Sequence, residues 1–333
     1  MNRRDFLLSG AALACAGCMT DRAAQAAPRG GKPKFKLGVA GWTYHTLKPD
    51  EALADMEKND IHYLCVKDFF LPFGATDAQV RDFRAKLADR GVEAYGVGPH
   101  YLKTADELKS GFELSAKLGV KTYVGVPWRN AADGTDTWSL LRSNLDLVAL
   151  ASKLADEYKI DFAIHNHGTN PKFGGCPFMY PTAESIMKDI AGLSPRVGLC
   201  LDLAYSYADG FDGAELIRKY HDRLFDVHLR NPSQANNGSS GAIAYKGTID
   251  YRRVFRALAD VGYDRFCGLE LTGAFEKRSD HPNSNPNWVP LSMGYFHGLM
   301  HAMEGEGAAT CGMANTISTT ATGAAAWTLR TGT

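Results

Sequence analysis

The sequence has no net charge, since 37 Lys and Arg balance 37 Asp and Glu over 333 residues. Such a balance offers no field to draw the chain onto nucleic acid or an anionic membrane. Outside the N-terminus no apolar run approaches the length of a spanning helix. Cysteine is sparse and poorly placed for cross-linking. Cys65, Cys200 and Cys267 fall inside apolar runs that read as strands, Cys176 lies in a Gly/Pro-rich loop and Cys311 near the C-terminus. A thiol inside a strand behaves as a small buried hydrophobe, and the one C-x-x-C pair, Cys15–Cys18, lies in the N-terminal leader, so no structural zinc knuckle is expected. Charges are few and periodicity is missing after about residue 304, and 305–333 is predicted to be a disordered tail.

What the N-terminus does have resembles a twin-arginine export signal. "NRRDFLL" (2–8) sets Arg3, Arg4, Phe6 and Leu7 in the matching places, an apolar stretch runs from Phe6 to Gly17, and Ala24-Gln25-Ala26 is a small-x-small cleavage site. Residues 1–26 are therefore expected to be a signal peptide and 27–34 a linker, with a periplasmic destination. Lipid attachment at Cys15 or Cys18 is the alternative route to a membrane. Cleavage after Ala26 is preferred, because neither cysteine follows a good lipobox.

From residue 35 to 304, strand and helix patterns alternate. The apolar, β-branched runs are 35–40, 63–67, 93–98, 121–126, 161–164, 197–202, 224–229 and 266–271. Most are continuous rather than alternating, as parallel strands covered on both faces require. Helical segments at 49–59, 77–91, 104–119, 140–158, 182–192, 213–222, 250–262 and 285–304 fall between or after them, and several start after Asp, Thr or Pro and stop at Gly. Eight such units predict an α/β fold, a single-domain (β/α)₈ TIM barrel. An open doubly wound sheet would carry a glycine-rich phosphate loop after its first strand, and "GVAGWTYH" (38–45) has no G-x-G-x-x-G.

In a barrel the chemistry sits at the C-terminal ends of the strands. In chain order those ends offer Trp42 and Tyr44, Lys67, His100, Trp128, His165-Asn166-His167, Asp202 and Tyr205, His228 and Arg230, and Glu270. Two or more histidines with an Asp and a Glu, from four successive strands, suit a divalent cation with mixed nitrogen and oxygen ligation: Mn, Co, Zn, Fe or Mg.

The motifs "NHG" (166–168), "VGLCLD" (197–202), "DVHLRN" (226–231), "YKGTIDY" (245–251) and "GLEL" (268–271), in this order at barrel spacing, resemble the xylose isomerase-like TIM barrels. That family includes sugar isomerases, ketose epimerases and endonuclease IV. The resemblance implies metal ligands at His165, Asp202, His228 and Glu270. It also exposes departures. Family members commonly have Glu where this chain has His165, a histidine where it has Tyr205, and Glu where it has Lys67. In the epimerases two glutamates form the acid/base pair on opposite faces of the sugar.

The expected activity is proton abstraction next to a keto-sugar carbonyl, as in an isomerase or epimerase, with Glu270, His167 or Lys67 as the base. Loss of a β-substituent from the enolate would instead make a lyase of 3-keto-glycosides. A non-catalytic periplasmic sugar-binding protein is a further alternative. The ligand is expected to be a sugar or glycoside, met by Trp42, Tyr44, His100, Trp128 and Arg230, with no nucleic-acid partner. The sequence leaves the oligomeric state open.

Overall fold

The computed structural model describes residues 31–128, 130–131, 141–142, 144–170, 179–232, 244–275 and 285–314. The expected signal peptide, much of the linker, Cys176 and the far end of the tail lie outside the described residues.

Eight parallel strands close a barrel: β1 (Lys36–Ala40), β2 (Tyr63–Val66), β3 (Glu93–Leu102), β4 (Thr122–Pro127), β5 (Asp161–His165), β6 (Val197–Asp202), β7 (Leu224–Leu229) and β8 (Phe266–Leu269). Sequential strands are neighbours throughout, and β8 pairs with β1 through Lys36 opposite Phe266. Thr43 fastens this seam at the mouth, donating to the Leu269 carbonyl and accepting from the Leu271 amide, each at 3.0 Å.

The helices are α1 (Pro49–Lys58), α2 (Asp77–Asp89), α3 (Ala105–Leu118), α4 (Leu145–Tyr158), α5 (Ala183–Asp189), α6 (Leu203–Ala208), α7 (Gly213–Tyr220), α8 (Tyr251–Asp260) and α9 (Trp288–Ala314). Their starts follow local chemistry. Thr76, Thr104 and Thr182 cap α2, α3 and α5 through side-chain oxygens, and Asn144, Asp212 and Asp250 do the same for α4, α7 and α8. Each such cap contributes about 1 kcal/mol. Helix α8 shows why these segments lie on the barrel: Val254, Phe255 and Leu258 are buried while Arg252 and Arg253 stay exposed.

Strand β3 and the last helix depart from the sequence reading. Strand β3 does not stop at Pro99 but continues to Leu102, with its register against β4 shifting between Val97 and His100. A proline is tolerated in a strand at such an irregularity. Helix α9 also runs to Ala314, ten residues into the segment whose composition predicts a disordered tail. A helix already started needs no new nucleus to continue, which offsets the low propensity of Gly305, Gly307 and Gly312.

Candidate metal centre

His165 ends β5, Asp202 ends β6, His228 lies near the end of β7, and Glu270 follows β8. Asp202 and His228 are paired in register, and the Glu270 amide bonds the Leu229 carbonyl at 3.1 Å, so these side chains share one level of the mouth. His165 Nε2 lies 2.9 Å from His228 Nδ1 and 3.7 Å from Asp202 Oδ2, and His228 Nδ1 lies 2.9 Å from Glu270 Oε2. All four are buried.

The asparagine between the two histidines is a clamp. Asn166 accepts from the Asp202 amide at 2.9 Å and donates to Ser206 at 3.2 Å, tying the turn after β5 to β6 and α6. The backbone of His167 and Gly168 bonds Tyr180 and Pro181, which sets the turn geometry. With Asn166 held outward, both imidazoles face the mouth, His165 Nδ1 lying 3.1 Å from His167 Nδ1. Asp202 is held in turn, its Oδ1 accepting the Tyr205 amide at 2.9 Å as the N-cap of α6.

Burial dominates the electrostatics, and neighbouring charges then sort the groups. Burial pushes His167 down to about 3, and burial with the adjacent His167 and His228 holds His165 well below its ordinary value. Burial lifts Asp202 to about 6 against the pull of Arg230. His228 and Glu270 behave as one ion pair. Burial opposes both charges, but their mutual hydrogen bond and attraction outweigh it, holding His228 at about 9 and Glu270 at about 2. A proton therefore sits between these groups in the metal-free protein, and binding a cation there would release it.

The donor set fits a divalent ion. One nitrogen or oxygen from each of His165, Asp202, His228 and Glu270 lies within 4.8 Å of the others. Among the described residues Asp202 Oδ2 is buried without a hydrogen-bond donor, an arrangement that costs several kcal/mol unless a cation meets it. Two imidazoles and two carboxylates suit Zn, Mn, Co or Fe better than Mg, which prefers oxygen ligands and keeps its waters. Cys200 Sγ lies near the two histidine nitrogens, but burial raises its pKa and keeps it a neutral thiol.

Above these residues opens a cleft of about 220 Å³, lined by Trp42, Lys67, Pro99, Tyr101, His165, His167, Tyr205, Arg230, Glu270 and Thr272. The Arg230 guanidinium lies 4.8 Å from the centre of the Tyr205 ring and 3.7 and 3.8 Å from Asp202 and Glu270. Lys67 is buried, its Nζ 3.2 Å from Asp68 and above the rings of Tyr101 and Trp42 at 5.2 and 5.8 Å. Burial lowers its pKa, with Asp68 opposing. A larger surface cleft of about 520 Å³ lies among α6, α7 and α8. Arg253, the one cation among its described lining residues, is engaged by Asp212 at 2.6 Å and Glu215 at 3.3 Å.

Of the sugar-contacting residues expected from sequence, Trp42 and Arg230 line the mouth and three do not. Tyr44 is core: its hydroxyl donates to Asp55 at 3.1 Å and its ring packs on Phe275. A strand would have set Trp42 and Tyr44 on one side, but Gly41–Tyr44 is a 3₁₀ turn, where positions two apart diverge. His100 is buried against Phe73 and Tyr123. The shift in β3 changes the phase of the strand, so Tyr101 faces the cleft instead. Trp128 lies under Lys103, whose Nζ is 4.7 Å above its ring. Tyr101 and Thr272, absent from the sequence expectation, complete the lining. Alternation after Pro99 would have indicated the tyrosine only if the irregularity were known.

Residues 51–288 match the model of the xylose isomerase-like TIM barrel family. Among solved structures, D-psicose 3-epimerase from Clostridium cellulolyticum H10, bound to D-tagatose, superposes with a TM-score of 0.62 at 15% identity, over 80% of this chain and 99% of that one. The IolI protein with a bound zinc atom gives a TM-score of 0.59 at 17% identity, over 81% of this chain and 99% of its own. A mannonate dehydratase from Oceanobacillus iheyensis is 31% identical over 136 residues, 39% of this chain and 38% of that protein, so the match spans well under half of the relative's length.

Proposed function

This chain belongs to the xylose isomerase-like TIM barrel family, and from that premise we propose a metal-dependent enzyme that abstracts a proton next to the carbonyl of a keto-sugar. The observation that carries the reading is the convergence of His165, Asp202, His228 and Glu270 at the barrel mouth, beneath a cleft lined by Trp42, Lys67 and Arg230. The sugar epimerase named among the superposed structures supports the substrate class. A divalent ion held by the four ligands would polarise the carbonyl and stabilise the developing oxyanion.

The geometry divides the remaining work. Nδ1 of His165 faces Nδ1 of His167, so one of the two carries a hydrogen. With Nε2 of His165 turned to the ligand cluster, the Nδ1 hydrogen belongs to His165 and is accepted by His167. His167 then keeps its own hydrogen on Nε2 and serves as a donor to a substrate oxygen. Glu270 is taken up by the proposed ligand cluster, where it faces His228 at 2.9 Å. Lys67, buried in the cleft wall with a lowered pKa, remains the best placed base. The indole of Trp42 offers a face for the sugar ring.

Elimination from a 3-keto-glycoside is the second reading, favoured by His165. An imidazole bound to the ion cannot return a proton to the second face of a sugar as a carboxylate would, whereas elimination needs only one face deprotonated. The partial likeness to a dehydratase agrees with it. We also propose export by the twin-arginine route, on Arg3-Arg4 and the cleavage site at Ala26, which cell fractionation tests. Incubating the Mn- or Co-loaded protein in D₂O with free ketoses and with 3-keto-glucosides separates the readings by NMR. Deuterium uptake with an epimer formed supports isomerisation, and aglycone release supports elimination. No turnover of either leaves a binding protein and sinks the enzyme reading.

A further inference from the structure

Beneath the ligand cluster, Asp226 stands two residues before His228 on β7, so both side chains point into the barrel. Asp226 is fully buried, in the lower barrel layer formed by Cys65, Tyr95, Cys200 and Phe225. Its Oδ1 accepts the Val227 amide at 2.9 Å. Its Oδ2 has no hydrogen-bond partner among the described residues, and neither has His228 Nε2; the two atoms are 3.8 Å apart. An ionisable group so buried costs several kcal/mol unless it is paired, so a carboxylate kept here needs a role.

The opposite edge of the same imidazole supplies one. His228 Nδ1 faces both His165 Nε2 and Glu270 Oε2 at 2.9 Å, so Nδ1 is the nitrogen on the ligand side and Nε2 the nitrogen pointing down the barrel. A ligating histidine generally donates its other N–H to a carboxylate, which fixes its tautomer and ring orientation. We propose that Asp226 is a positioning residue for the metal centre: it holds His228 in the tautomer with hydrogen on Nε2 and bare Nδ1 aimed at the ion. This rests on the metal-enzyme reading. Closing 3.8 Å to a hydrogen bond takes only a small tilt of the ring, of the kind ligation at Nδ1 would impose.

Asparagine in place of Asp226 is the discriminating substitution. One amide oxygen must serve the Val227 N–H, leaving the NH₂ to face His228 Nε2. That arrangement favours hydrogen on Nδ1, the tautomer that cannot ligate. D226N is therefore expected to bind Zn or Co about 10- to 100-fold more weakly by chelator competition, the usual loss for an outer carboxylate. D226A, which imposes no tautomer, should fall between. Neither is expected to lower the melting temperature of the metal-free protein, as a merely structural role would. In the Zn-loaded wild type, where ligation at Nδ1 leaves hydrogen on Nε2 in any case, ¹H–¹⁵N NMR of the imidazoles should show a downfield, slowly exchanging His228 Nε2–H, the signature of a hydrogen bond to a carboxylate. An Nε2–H without that signature, hydrogen on Nδ1, or D226N matching wild-type affinity overturns the proposal alone, and the wild-type spectrum decides it even where a variant fails to fold. A wild type that takes up no divalent ion overturns the metal reading as well.

Discussion

His165 stands where the resemblance implies a glutamate, and the choice between the two proposed reactions turns on it. A carboxylate there would be a ligand and a proton carrier together; an imidazole with Nε2 toward the proposed ion and Nδ1 on His167 would be a ligand only. H165E should raise epimerisation relative to elimination by at least about tenfold, since a positioned acid or base contributes roughly 10²–10⁴-fold, with altered metal preference. Efficient proton exchange on both faces by the wild type would return the protein to the ordinary epimerase branch. His100 makes a different residue-scale prediction. Among the described residues both its ring nitrogens lack hydrogen-bond partners, and burial pushes it down to about 3. The unfolded chain takes up a proton near pH 6.5 that the folded chain refuses until about 3. Stability is thus unaffected above 6.5 and falls as pH drops from 6.5 towards 3, by about 1.4 kcal/mol per pH unit at most. H100F should flatten that acid limb in urea melts recorded between pH 7 and 4, with little change at pH 7. Residue roles were the least legible part of the sequence. The proposed ligand set comes from residue types at strand ends together with the family resemblance, whereas the side on which Tyr44 or Tyr101 emerges depends on a 3₁₀ turn and a register shift that residue type does not announce.

At the scale of elements, all eight barrel strands could be read, because burial on both faces leaves continuous apolar runs. Helix α6 could not: "LAYSYA" is short, mostly buried, and begins directly at the Asp202 cap, so it shows no amphipathic period. Packing between elements leaves a sharper mark. Gly111 on α3 lies against the ring of Tyr123 on β4, and a Cβ there would collide with the hydroxyl and ring atoms. Tyr123 cannot step aside, being flanked by Phe112, Phe162 and His100 with ring centres 5.2, 5.3 and 5.7 Å away. Gly-to-Ala in a helix ordinarily stabilises by about 1 kcal/mol, but overpacking here costs about 1–3. G111A is therefore expected to lower the thermal midpoint by a few degrees, and a rise would show that α3 can slide off the strand.

For the whole molecule, the ion would act as a ligand of the native state. The four ligands come from β5, β6, β7 and β8, segments far apart in sequence that the unfolded chain does not bring together. A metal at a hundred times its dissociation constant adds about 2.7 kcal/mol, which for a domain of this size corresponds to roughly 5–10 °C. Adding a chelator during a calorimetric scan should lower the midpoint by that amount, and re-addition of Mn, Co or Zn should restore it. An unchanged midpoint would argue against tight binding at this cluster.

Placing the ligands on four adjacent strands also splits the ring into two territories. The half from β5 to β8 carries every atom proposed to hold the ion, whereas Trp42, Lys67 and Tyr101 come from the first three units. In the barrel sheet the two halves join along the β4–β5 ladder and the β8–β1 seam. The proposed ion ligands and two of the aromatic side chains that face the cleft, Trp42 and Tyr101, therefore lie on separate stretches of the gene, so exchanging the segments that carry these two while keeping Lys67 could retarget the protein to another sugar with the proposed ligands and base inherited intact.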